Sequence, residues 1–235
     1  MPIEKLFWKD AYQKEFDAEV LAVDGNKVIL NQTCFYASSG GQIGDTGEIN
    51  GMKVLDTIYD DNENIVHVLE KTPELKVGET VHGKIDWERR YKIMKFHTAA
   101  HIISYVLLKN FGNVRFTGSQ IYPDRGRMDF NIEKLDEETA KIIEEKANEI
   151  VKMNLPVTSR IISKEDLGSN PNLKRMADAS HYEKYKILRI VEIGGIDAQL
   201  DGGTHVKSTG EIGKIKIVKR ENKGKNNRRI TIIVE

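Results

Sequence analysis

The sequence predicts an α+β protein in two parts. Residues 1–85 read as a small β-barrel domain, and residues 86–235 as an α+β domain with a mixed or antiparallel sheet packed by helices. Three observations predict this. Short strand-like segments separated by turn residues fill the first 85 positions, the pattern of a small barrel. A long apolar stripe at helical spacing then starts just after Asp86. Beyond it, strand and helix patterns alternate, and 235 residues suffice for two modest cores.

In the first part, Glu19–Val23 and Lys27–Leu30 flank Asp24-Gly25-Asn26, a hairpin signal. Further strands are expected at Gly47–Ile49, Lys53–Tyr59, Ile65–Leu69 and Thr80–Ile85, separated by turns such as Asn50-Gly51 and Asp60-Asp61-Asn62. Between them lies a polar loop with four glycines, Gly40, Gly41, Gly44 and Gly47. Tight turns at a barrel rim are one reason for them; a backbone-rich surface that meets a ligand or RNA is the other.

Asp86 is placed to cap a helix running from Trp87 to about Lys109, with Ile93, Phe96, Ala100, Ile103, Val106 and Leu107 on its apolar stripe and Gly112 at its stop. Arg115–Tyr122 and Arg127–Ile132 form a hairpin across Pro123-Asp124-Arg125-Gly126. Asp136 caps a second helix over Glu137–Met153, whose acidic first turn suits the helix dipole. Val157–Ser163 and Ile187–Ile193 are strands, with Ile196–Leu200 continuing the latter; the polar stretch 164–186 reads as loop and short helix. Gly213–Val218 and Arg228–Val234 form a last hairpin.

Composition excludes several classes. With 39% hydrophobic and 31% charged residues, the chain reads as globular and soluble, not disordered. No run approaches the ~18 apolar residues of a membrane span, and the first ten residues lack a signal-peptide core. The single cysteine, Cys34, allows no intrachain disulfide, which fits a cytoplasmic setting, and it reads as a small buried hydrophobe. Net charge is zero, 36 basic against 36 acidic residues, but its distribution leans. Eight basic residues between Lys214 and Arg229 face one acid, Glu221, and Arg89, Arg90, Lys92 and Lys95 lead into His97. Two basic stretches suit a polyanion.

The chemistry concentrates in two short stretches. His97 and His101 stand four residues apart in a helical pattern, so both imidazoles project from one face, a turn apart. Asp201 and His205 repeat that spacing beside Gly202-Gly203. Three imidazoles and a carboxylate suit a borderline divalent metal such as zinc. No Glu follows His97, so this is not the metalloprotease helix in which that Glu acts as base.

Here the chain resembles a known family. His97-x-x-x-His101, then Thr117-Gly118-Ser119-Gln120 with Arg127-Met128-Asp129-Phe130, then 201–213 (Asp-Gly-Gly-Thr-His-Val-x-x-Thr-Gly-Glu-Ile-Gly) follow one another here. So does the earlier Phe35-Tyr36 … Gly40-Gly41-Gln42-x-Gly44-Asp45-x-Gly47. This order is similar to that of the editing domain of alanyl-tRNA synthetases and of the free-standing AlaX proteins, in particular the medium-sized type. The resemblance implies an ATP-independent, zinc-dependent hydrolase that removes a wrong amino acid, serine first and glycine as the second candidate, from alanine tRNA. It makes residues 86–235 the editing domain and alanine tRNA the partner; no membrane is implied, and nothing indicates a homo-oligomer. It carries His97, His101 and His205 over as zinc ligands. At the fourth position the family usually has Cys where this chain has Asp201, a harder ligand. Thr117, Ser119 and Gln120 become candidates for the bond to the serine hydroxyl. Asp129 becomes a structural or proton-transfer carboxylate, and Gly40, Gly41 and Gln42 a place of tRNA approach or interdomain packing. The alternatives are a tRNA-binding protein whose editing is impaired by Asp201 and a metal hydrolase of another acyl ester; the ordered motifs argue against the latter.

Overall fold

The computed structural model describes residues 3–112, 114–165, 173 and 187–235. The chain forms two compact units, Met1–Lys92 and Ile93–Glu235.

The first unit opens with β1 (Glu4–Lys5) and the short helix α1 (Leu6–Lys9), and β1 pairs in parallel with β4 (Gln32–Thr33). Its body is a closed antiparallel barrel. The strands are β2 (Glu15–Asp24), β3 (Lys27–Leu30), β5 (Gly47–Ile49), β6 (Met52–Tyr59), β7 (Ile65–Leu69) and β8 (Thr80–Ile85), in the order β2-β3-β7-β6-β5-β8. Alternation sends Phe16, Ala18 and Val20 of β2 inward with Val81 and Ile85 of β8, where they meet Val28, Leu30, Ile49, Val54 and Leu69. Cys34 lies fully buried in the same core, where burial pushes its thiol up to about 12. The thiol is therefore held protonated and acts as an apolar filler.

One polar group is built into this core. His67 is fully buried; its Nδ1 lies 3.1 Å from the Val28 carbonyl and its Nε2 2.9 Å from the Thr33 hydroxyl. The carbonyl only accepts, so Nδ1 carries the proton and the Thr33 hydroxyl donates to Nε2. Burial lowers the His67 pKa to about 4. An unfolded chain titrates near the ordinary value of about 6.5 and so binds more protons between these limits. Stability from the neutral imidazole is complete above about pH 6.5 and is lost as pH falls toward 4. The loss amounts to roughly 3 kcal/mol. His67→Gln is expected to flatten the fall in unfolding midpoint over this interval; a parallel fall in both proteins refutes the assignment.

The helix α2 (Trp87–Phe111) starts in the first unit and continues into the second. The Asp86 carboxylate accepts from the Arg89 amide at 3.1 Å, capping its first turn, and Gly112 follows its end at φ +78°. Its buried surface is wider than a single stripe: Met94, Ala99 and Ile102 are buried along with Ile93, Phe96, Ala100, Ile103, Val106 and Leu107. A helix apolar on most sides is an interior helix.

The second unit then adds β9 (Phe116–Ile121), β10 (Gly126–Phe130), α3 (Glu137–Lys152), β11 (Val157–Ser163), β12 (Ile187–Ile193), β13 (Asp197–Leu200), a 3₁₀ turn (Thr209–Ile212), β14 (Ile215–Asn222) and β15 (Arg228–Val234). Two antiparallel sheets result, β14-β15-β10-β9 and β11-β12-β13. The Asp136 carboxylate caps α3 by accepting from the Thr139 amide at 2.9 Å. One expectation is corrected. Residues 196–200 do not continue β12: Ile193 pairs with Asp197, and β13 runs back antiparallel to β12. A three-residue loop joins them: Gly194 and Gly195, at φ +47° and +75°, are the central residues of a turn closed by the Ile196 amide on the Ile193 carbonyl at 2.9 Å. The stretch expected as loop and short helix within 164–186 lies, apart from 164, 165 and 173, outside the described residues.

Candidate metal centre

Helix α2 places His97 and His101 one turn apart, with ring centroids 5.3 Å from each other. The segment after β13 brings His205 against both, at 4.4 Å from His97 and 4.6 Å from His101. Asp201 completes the group: Oδ1 lies 3.4 Å from His97 Nε2, and Oδ2 lies 2.9 Å from His205 Nε2. One donor atom from each of the four lies within 4.8 Å of all the others. The three histidines are 5–7% exposed, and the Asp201 side chain 17%, so the group is buried with one accessible corner.

The surroundings fix these donors. The Thr98 hydroxyl donates to the Met94 carbonyl at 3.0 Å and accepts from the Val206 amide at 3.3 Å. Its proton is thus engaged, and His205 Nδ1, 3.1 Å away, donates to it. That tautomer leaves the Nε2 lone pair of His205 facing the cluster. Arg189, buried in β12, donates from Nη1 to the Gly203 carbonyl at 2.7 Å, and the Gly203 amide donates to Asp201 Oδ2 at 2.6 Å. The ligand segment is therefore held at its glycines.

The electrostatics favour a cation. Burial raises the Asp201 pKa, but the neighbouring His97 and His205 imidazoles outweigh it, and the carboxyl stays well below the usual range. Burial, with the neighbouring His97, lowers the His205 pKa to about 4. A carboxylate oxygen and a neutral imidazole nitrogen 2.9 Å apart both present lone pairs, and a proton or a metal ion between them relieves the opposition. Tetrahedral donors about 2.0–2.1 Å from zinc stand roughly 3.3 Å apart, and the spacings around Asp201, 3.4 and 2.9 Å, lie within about 0.4 Å of that.

The other sequence-derived candidates are spread over the fold. Ser119 pairs with Met128, so it shares the sheet face of Met128 and Gly126; a Cβ on Gly126 would stand 3.5 Å from Phe96 of α2. Gln120 pairs with Arg127 on the opposite face. Thr117 sits where the β9–β10 register shifts and donates its hydroxyl to Asn227 Oδ1 at 2.8 Å. Asp129 holds Arg229 across the strand pair through two bonds of 2.7 Å. In the first unit, Gly40 and Gly41, at φ +58° and +89°, form the turn closed by mutual backbone bonds of Ser39 and Gln42; Gln42 is buried.

Sequence reasoning did not single out Thr98 and Arg189. A lone arginine inside the apolar run 187–191 was the available signal, since buried charges stand only where partners await them.

Two family models match. Residues 3–89 match the class II (A) tRNA synthetases, and residues 188–231 match the second additional domain of threonyl and alanyl tRNA synthetases. The chain is 40% identical to the alanyl-tRNA editing protein AlaX-M of Saccharolobus solfataricus, covering 99% of each chain. It is 38% identical to AlaX-M of Methanosarcina mazei, over 97% of this chain and 94% of that one. It is also 39% identical to the alanine–tRNA ligase of Sulfurisphaera tokodaii, over 94% of this chain but 25% of the ligase. With identity of this level running end to end, the chain belongs to the AlaX-M family of alanyl-tRNA editing proteins.

Proposed function

We propose that this protein is a trans-editing hydrolase. It cleaves the ester that links a wrong amino acid, serine foremost and glycine second, to the 3′ end of alanine tRNA, and it acts in the cytoplasm. The observation that carries this reading is the buried cluster of His97, His101, Asp201 and His205 in a chain of the AlaX-M family. These four residues would hold one zinc ion; when bound, it supplies Lewis-acid activation at the ester. Asp201 contributes negative charge and His205 a lone pair oriented by Thr98. Arg189 keeps the ligand segment in place. An aminoacyl ester is already reactive, so positioning and modest activation are sufficient.

Discrimination against alanine needs a polar group that bonds the serine hydroxyl. Of Thr117, Ser119 and Gln120, we assign this task to Ser119. Its place on the sheet face that meets α2 supports the choice, whereas Gln120 faces away and Thr117 stands at the register shift. Asp129, paired to Arg229, keeps a structural role. The Gly40–Gln42 turn is assigned to tRNA approach.

A second reading keeps the tRNA but not the chemistry: Asp201, in the place of the family's usual cysteine, would leave a binding protein with impaired editing. Deacylation of serine-charged and alanine-charged alanine tRNA separates the two. Rapid loss of serine alone, stopped by chelation and restored by zinc, is expected. A folded, zinc-loaded sample that releases no serine overturns the hydrolase reading.

A further inference from the structure

The β14–β15 hairpin and its flanks carry eight basic residues, from Lys214 to Arg229, against one acid in that stretch, Glu221. Three of its cations are neutralised locally: Lys216 by Glu235, Lys219 by Glu221 and Arg229 by Asp129. Arg228 is spent on the tip itself, donating to Asn222 Oδ1 and to the carbonyls of Gly224, Asn227 and Glu133. Lys214, Arg220, Lys223 and Lys225 are all exposed, and none has an ion pair among the described residues. Beside the tip is an open cleft of about 690 Å³, lined by Lys134, Lys225, Arg228, Asn222, Asn226 and Glu133 among others.

We propose that this hairpin is an RNA-binding surface that grips the phosphate backbone of the tRNA; the identity of that RNA as the editing substrate rests on the function proposed above. Length supports it. At ~3.3 Å per residue, Lys214 and Lys223, at the two ends of β14, stand roughly 30 Å apart. A strip of that length fits a run of phosphates and far exceeds one small anion. Composition supports it as well. Residues 222–228 are polar, charged or glycine throughout, so the tip offers no aromatic or aliphatic anchor for a protein hot spot or a lipid surface. Asparagines in the cleft supply amide donors and acceptors suited to sugar hydroxyls and base edges. The tip is also preorganised. Lys223 and Asn227 join through a 2.9 Å backbone bond, and the Gly224 amide donates to Asn222 Oδ1 at 3.0 Å. Little ordering entropy then opposes binding. Phosphate contacts carry no sequence information, so the surface supplies affinity and register and leaves the choice of amino acid to the site that holds Ser119.

The test is the affinity of the full chain for an uncharged alanine tRNA transcript, measured by fluorescence anisotropy over a salt series. The variant combines Arg220→Gln, Lys223→Gln and Lys225→Gln. A control combines Lys27→Gln, Lys71→Gln and Lys76→Gln, three exposed barrel residues, and makes the same change in net charge. At about 0.1 M salt the hairpin variant is expected to bind roughly 100-fold more weakly, with a log–log salt slope smaller by about 2–3, while the control matches wild type. In deacylation, the hairpin variant should raise KM and leave kcat unchanged. Equal affinity and slope for the hairpin variant and wild type overturn the inference, as does equal weakening by the control. A wild-type protein that binds through the hairpin but hydrolyses no aminoacyl-tRNA sinks the editing reading and leaves the RNA surface standing.

Discussion

His205→Ala is expected to strip the metal from the protein. Zinc content after dialysis should drop from one ion per chain to near zero, and hydrolysis of the seryl ester should fall on the order of 10³-fold, about 4 kcal/mol of transition-state stabilisation. The cause lies in the geometry: His205 touches both helix imidazoles and the Asp201 carboxylate, so its loss removes the group that joins the two halves of the cluster. Asp201→Cys gives the opposite result for affinity. A thiolate is the softer donor and should raise zinc affinity in a competition with a chromogenic chelator by about tenfold or more. Full zinc retention by His205→Ala would falsify the ligand assignment without reference to activity.

The second large effect is on stability and lies in the first unit. Arg90 is completely buried and forms a two-pronged pair with Asp45, which is 1% exposed. The same guanidinium donates to the carbonyls of Cys34 at 2.6 Å and Ala11 at 3.2 Å, and the Tyr36 amide donates to Asp45 Oδ2 at 2.6 Å. This network ties the first turn of α2 to the glycine loop of the barrel. Asp45→Ala leaves a buried cation without its partner and is expected to destabilise by about 3–5 kcal/mol. The double change Arg90→Met with Asp45→Ala should recover part of that loss, because no isolated charge remains. Both tryptophans, Trp8 and Trp87, lie in this unit, so their fluorescence in urea reports its unfolding directly. A change below about 0.5 kcal/mol for Asp45→Ala would show that the pair is solvated in solution.

Much of the architecture was legible before any coordinates. Val157–Ser163 and Ile187–Ile193 are strands as expected, and the short, regularly spaced strands expected between Glu19 and Ile85 belong to a closed barrel. These features are local: strand period, turn residues and helix caps are written within a few positions of each other. The Gly194-Gly195 hairpin was local too and was misread, because apolar residues on both sides of the glycines imitate one continuous strand.

Sequence alone determined the inventory of the candidate metal centre: two imidazoles a helical turn apart, and a carboxylate and a third imidazole about a hundred positions later. Only the tertiary structure decided that these come within 4.8 Å of one another, that Thr98 sets the His205 tautomer and that Arg189 holds the ligand segment. It also decided that Asp45 belongs to Arg90 and that Ser119 and Gln120 face opposite ways. Spacing constrains groups on one element, where the backbone fixes their directions. Contacts between elements depend on sheet register and helix packing, which arise from the whole core and leave no periodic mark in the chain.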